Sequence, residues 1–254
     1  MASFVFVTSF VAGLVFGSFF NVVGLRVPAK QSVIRPRSAC PRCRRPLTAG
    51  ELIPVLSYIV QRGKCRTCGA KISPIYPAVE LVTGLLFATA PFFVGWSGDL
   101  LIALTLISLF MIIVVSDLAY MIIPDKILLI FAGIFFIERI FMPLTPWWDS
   151  LLGALLGFSV LFLIAVISKG GMGGGDIKLF TLIGFATGVK TLTLSFLLSV
   201  FLGAVFGVIG LAFKFVSKGK PIPFGPFIAA GTLISYYFGD WIVKKYIYLF
   251  SGGF

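Results

Sequence analysis

The sequence predicts an all-α polytopic membrane protein, with about eight transmembrane helices and a small soluble insert between the first two. Three observations predict it. Hydrophobic residues make up 59% of the 254 and charged residues only 12%, and the mean hydropathy is +1.07, too apolar for a soluble domain. Uncharged runs of roughly 17 to 25 residues, long enough to cross a bilayer as helix, recur along the chain. Between them only one stretch, from about Arg26 to Pro77, is long and polar enough to stand in water as a unit.

The first run, residues 2–24, has no basic region ahead of it and no convincing small-residue cleavage site, so it is expected to be a retained anchor and not a signal peptide. The others fall near 76–95, 100–117, 126–142, 151–168, 177–189, 191–213 and 225–243, of which 177–189 is short and interrupted by glycine. In lipid a helix satisfies its backbone groups internally, which makes helix the form expected for each run. The expected division is a first span at 1–25, an insert at 26–77 and a membrane-embedded remainder at 78–254.

Lys and Arg set the orientation. Residues 25–75 hold eleven of the 21, and the loops around Lys126, 169–178 and 214–220 hold six more, so these segments are expected in the cytoplasm and the N-terminus outside. The net charge of +12 follows mainly from this bias and from contact with anionic lipid headgroups; it gives no reason to invoke nucleic acid.

A soluble piece of roughly 50 residues is near the size at which a core alone is marginal and a staple is needed. All four cysteines lie there, as Cys40-Pro-Arg-Cys43 and Cys65-Arg-Thr-Cys68, with 21 residues between the pairs. Two such knuckles can close a tetrahedral thiolate cage, which predicts a structural Zn2+ site; a reducing cytoplasm disfavours disulfides. Four protein ligands leave no open position for a reactive water.

There is no histidine, which removes Ser-His and Cys-His nucleophiles and His-ligated metals together. Acid and base work falls to nine carboxylates. Asp99, Asp149 and Asp240 fall at the outer side, and Glu138 beside Arg139 reads as a local pair. Near the inner face remain Glu51, Glu80, Asp117, Asp125 and Asp176. Asp117 ends an apolar span, at the unfavourable pole of a helix macrodipole, so capping explains it poorly and function is the default reading. Asp125 follows Pro124 and suits a helix start, with a functional role as its alternative. Asp176, in "SKGGMGGGDIKLFT" (168–181), could be an N-cap, but five glycines exceed what a cap needs and would allow close backbone approach. The pattern is neither of the standard phosphate-binding glycine motifs. If Asp117 and Asp176 converge on one water, the pair makes an aspartyl protease.

"GSFFNVVGLRVP" (17–28), the paired knuckles, "SYIVQRGKCRTCGAKISPIYPAVELVTGLLF" (57–87), "SDLAYMIIPD" (116–125) and "GMGGGDIKLF" (171–180) together resemble the prepilin leader peptidases of type IV pilus and type II secretion systems, membrane aspartyl proteases of the GxGD class. The resemblance implies that Asp117 and Asp176 are the catalytic pair, with Asp125 belonging to the first motif but not catalytic. It implies cleavage of the short basic leader of type IV prepilins and pseudopilins at the cytoplasmic face of the bacterial inner membrane. It also implies methylation of the new N-terminus with S-adenosylmethionine, associated with the cysteine-bearing domain. Glu51 and Glu80 are candidate contributors to that second site; surface solvation and a helix start are their plain alternatives. Two other readings stand beside this one: an ion- or proton-coupled transporter using Asp117 and Asp176 as ion sites, and a presenilin-like protease cutting within the bilayer.

Overall fold

The computed structural model describes residues 2–169, 171–214 and 222–250, apart from the side chain of Phe250. Gly170 of the glycine-rich stretch, and Lys218 and Lys220 of the basic 214–220 loop, lie outside the described residues. Among the described residues the apolar runs are helical and no strand forms. The order is α1 Ala2–Arg26, a single 3-10 turn Ala49–Leu52, α2 Leu56–Val60, α3 Ile75–Val94, α4 Gly98–Tyr120, α5 Asp125–Phe141, α6 Asp149–Ile167, α7 Gly174–Ala212 and α8 Gly225–Phe250.

Five of these, α1, α3, α4, α6 and α7, are long and apolar enough to cross a membrane, so the chain is a membrane protein. Each of the eight expected runs falls on helix. The runs 177–189 and 191–213 share α7, whose 39 residues would reach about 58 Å as one rod, twice the ~30 Å hydrocarbon core. The helix breaks between them, at Gly188 (φ 80°, ψ 175°), a conformation that disfavours any side chain. Asp149, opening α6, fills the break by accepting the Val189 N–H at 3.4 Å.

The bundle is built around α4. Ile102, Leu106, Ile107, Leu109, Phe110 and Ile113 on this helix are fully buried, while Leu151, Leu155, Phe158 and Phe162 of α6 face outward, as apolar side chains do where lipid is the solvent. One arm packs α1 against α3 and both against α4; the other packs α6 against α7 and α7 against α8, which also lies on α4. Helices with lipid outside are drawn together by close packing of small residues. In "GALLG" (153–157) a Cβ on Gly153 would fall onto the carbonyl oxygen of Gly184, so α6 and α7 meet at backbone distance.

Glu138 and Arg139 do not form the expected local pair. Glu138 accepts from the Thr105 hydroxyl at 2.6 Å, tying α5 to α4, and Arg139 donates from Nε to the Ala186 carbonyl at 2.8 Å, tying α5 to α7. Successive residues on a helix point about 100° apart, so burial sends them to different neighbours.

Candidate active site and metal centre

The insert is two copies of one turn. The amide of Cys40 donates to the Arg45 carbonyl at 3.0 Å and that of Cys65 to the Ala70 carbonyl at 2.9 Å; Arg44 and Gly69 then donate back to Cys40 and Cys65. Both returning residues sit at positive φ, 57° and 67°. The four sulfurs lie within 4.8 Å of one another, with Cys40 to Cys68 at 3.7 Å and Cys43 to Cys65 at 4.0 Å. A tetrahedral site with metal–sulfur bonds of ~2.3 Å has edges of about 3.8 Å, so the cage fits a thiolate-bound ion. Backbone amides of Cys68 and Thr67 pull the Cys65 thiol down to about 6, and those of Cys43 and Arg42 lower Cys40. These donors favour the anionic ligand form.

Glu51 is not solvated. It is buried, 2.6 Å from the Arg45 guanidinium, and takes the Thr48 N–H and hydroxyl at 2.9 Å each, capping the 3-10 turn. Arg45 holds its carboxyl down to about 2. Glu80 likewise does not start its own helix. It lies on the second turn of α3, buried, and its Oε2 accepts the Val55 N–H at 2.8 Å. Since Val55 is the N-cap of α2, this carboxylate fastens the insert to the membrane helices.

At the other candidate site, α4 runs past Asp117 to Tyr120 and ends on Met121 in the left-handed conformation, whose N–H returns to the Asp117 carbonyl at 2.8 Å. Ser116 ties the turn by donating to the Ile122 carbonyl. Asp117 is thus in the last turn, as expected, and it is buried at 6% exposure. Its Oδ2 accepts the backbone N–H of Gly225, the first residue of α8, at 2.7 Å.

Asp176 is in the first turn of α7, but Gly173 holds the N-cap position and no side chain caps the helix. The glycines do allow close approach. A Cβ on Gly175 would come 2.9 Å from Cβ of Ile123, so the glycine turn lies directly on the α4–α5 connection. Asp176 follows Gly175 directly, so this contact places the start of α7 at the turn that ends α4, the helix that carries Asp117. Asp125 opens α5, the helix start expected of it, and its side chain pairs with Lys178 of α7 at 2.8 Å, both side chains exposed.

The structure therefore gathers Asp117 and Asp176 at one end of the bundle, between the ends of α4, α7 and α8, and leaves Asp125 at the edge. Gly225 is the residue that sequence reasoning missed. "PFGPF" (223–227), a Gly-Pro pair opening a helix, was its available signal.

The model of the bacterial peptidase A24 N-terminal domain matches residues 11–93, and that of the type IV leader peptidase family matches residues 104–208. A prepilin leader peptidase/N-methyltransferase of Bacillus subtilis (strain 168) is 47% identical over 243 residues, covering 96% of this chain and 98% of the relative. The chain belongs to the type IV leader peptidase family. Relatives with the same name include those of Aeromonas salmonicida, 34% identical over 94% of this chain and 92% of the relative, and of Neisseria gonorrhoeae, 34% identical over 91% and 89%. The type IV leader peptidase match contains both Asp117 and Asp176, while the N-terminal match contains the cysteine insert. No solved structure matches the chain significantly. Nothing in the comparisons supports an ion-coupled transporter.

Proposed function

We propose that this chain is a prepilin leader peptidase that removes the basic leader of type IV prepilins and pseudopilins with Asp117 and Asp176, and then N-methylates the new N-terminus. The observation that carries it is the packing of the glycine turn before Asp176 against the connection that follows Asp117, which places both residues at one end of the bundle in a chain with no histidine. Two carboxyl groups at one site divide into an acid and a base. One takes a proton from water as the water oxygen attacks the scissile carbonyl carbon, and the other gives a proton to the carbonyl oxygen. Collapse of the tetrahedral carbon breaks the C–N bond, and the leaving amine takes up a proton.

The setting is a bacterial inner membrane, with the N-terminus outside and both the cysteine insert and the aspartates at the cytoplasmic face, following the Lys and Arg bias. Residues 1–25 anchor the insert, 26–77 fold on a structural zinc ion, and 78–254 form the peptidase. Membrane lipid is the only other partner this reading needs; no nucleic acid enters it. The ion would hold the knuckles together and leave no coordination position for chemistry. In methylation, S-adenosylmethionine supplies a methyl group; the amine nitrogen forms the new C–N bond and loses a proton while the sulfur keeps the C–S pair.

The test is cleavage of a prepilin in membranes by the wild type, Asp117→Asn and Asp176→Asn. Both variants should fold and lose activity by roughly 10²- to 10⁴-fold or more. Normal processing by either would end the paired-aspartate mechanism.

A further inference from the structure

Between the C-terminal end of α1, the start of α3 and the insert lies a cavity of about 420 Å³. Drug-sized ligands occupy cavities of about 300–1,000 Å³. Its wall contains Asn21, which is 4% exposed. The Asn21 Nδ2 donates to the Tyr76 carbonyl at 3.1 Å, which fixes the orientation of the amide, and its Oδ1 is buried with no partner. A buried acceptor left open is unfavourable, so it points to a donor that binds there. Glu80 lines the same cavity; the Val55 N–H occupies Oε2, and a carboxylate has further lone pairs to offer.

We infer that this cavity is the binding site for the methyl donor S-adenosylmethionine, with Asn21 Oδ1 and the Glu80 carboxylate receiving its α-ammonium group. The assignment rests on the methyltransferase part of the reading above. The rest of the wall fits the same molecule. Tyr58 and Tyr76 offer aromatic surface for the purine, and the exposed Lys71 offers a cation for the α-carboxylate. Glu51 is not an anchor, because Arg45 and Thr48 already occupy it.

The cavity is also placed for the sequence of reactions. Gly24 of α1 packs against Ile112 and Val115 of α4, five and two residues before Asp117, so the helix that supplies one wall of the cavity adjoins the helix that carries Asp117. The proposed donor site and Asp117 thus belong to helices packed directly on each other.

The experiment uses full-length, zinc-loaded protein in lipid nanodiscs and titrates S-adenosylhomocysteine by calorimetry. Wild type should bind, and Asn21→Leu and Glu80→Gln should each weaken binding about tenfold or more. Because Glu80 also holds α2, photolabelling of the wild type with an azido-adenosine form of the donor gives an independent readout; labels should fall on peptides spanning 18–26, 57–61 or 71–80. Unchanged affinity in both variants, or labels confined to other peptides, would overturn the site. Prepilin cleavage by wild type in the same nanodiscs tests the peptidase separately. Cleavage without donor binding would overturn the cavity assignment and leave the peptidase standing.

Discussion

Gly225 donates its backbone N–H to Oδ2 of Asp117 at 2.7 Å, joining two residues 108 apart in the chain. The amide belongs to the first residue of α8, so it has no partner inside its own helix, and the acid in the last turn of α4 satisfies it. The repulsive end of one macrodipole is thereby offset by the attractive end of another. The price of this arrangement is steric: a Cβ at position 225 would stand 2.9 Å from Oδ2 and 3.2 Å from Ile113.

Gly225→Ala should therefore move the Asp117 carboxylate without unfolding the bundle. We expect kcat for prepilin cleavage to fall by ten- to about a hundredfold with KM little changed, since a shift of order 1 Å in a catalytic group has that effect. Steady-state kinetics on a purified prepilin decide it, and wild-type kcat would remove Gly225 from the positioning of the site.

Packing between α6 and α7 predicts a contrast between two glycines. Gly153→Ala places a methyl group on the Gly184 backbone and should destabilise by about 1–3 kcal/mol, because backbone cannot give as a side chain can. Gly133→Ala, in α5 with nothing within 4 Å of the new carbon, should be neutral or stabilising by up to about 1 kcal/mol. Thermal unfolding in detergent, monitored by helical circular dichroism, compares the two; equal midpoints would mean that the close contact contributes nothing.

These cases mark what could be read from the sequence. The helical runs and the four-cysteine insert rest on hydropathy and on short spacings, which are local. The partners of single side chains are not local. Asp125 starts α5 as Pro124 suggested, yet the partner of its side chain, Lys178, lies 53 residues on. Glu138 and Arg139 looked paired because they are adjacent, yet burial sent them to α4 and α7. Glu80 caps a helix 25 residues before it, and Gly225 completes a site whose acid lies on α4. "GALLG" was readable as a close-packing motif and the partner helix was not, since any neighbour with a matching small residue would serve.

Glu51 makes a prediction about acid stability. Its carboxyl is held down to about 2 by Arg45 and the Thr48 amide, below the 4.5 usual for the group. A carboxyl with a depressed folded value stabilises above its unfolded value and loses that contribution as pH falls through the folded one. The difference in unfolding midpoint between wild type and Glu51→Gln should be full at pH 6, shrink from about 4.5 downward and vanish near 2. Comparing the two proteins cancels the protonation of the cysteines, which they share. A difference that stays constant from pH 6 to pH 3 would show that the Arg45–Glu51 pair is not ionic in effect.

The metal centre should decide whether the insert has a fold at all. Its β-bridges are isolated, Ala39 to Pro46 and Lys64 to Lys71, and each flanks one knuckle, so little beyond the thiolates joins one half of the insert to the other. Freshly reduced protein should contain about one zinc per chain, and a chelator should release it. Residues 26–75 carry eleven Lys and Arg, and trypsin should then cut there at least tenfold faster than in the zinc-loaded protein. Helical content should stay the same, because α3 to α8 bury their apolar faces on one another without the insert. Cys43→Ser should reproduce the protease sensitivity without a chelator. Zinc-free protein with a protease-resistant insert would mean that hydrogen bonds such as Glu80 to Val55 hold the domain unaided.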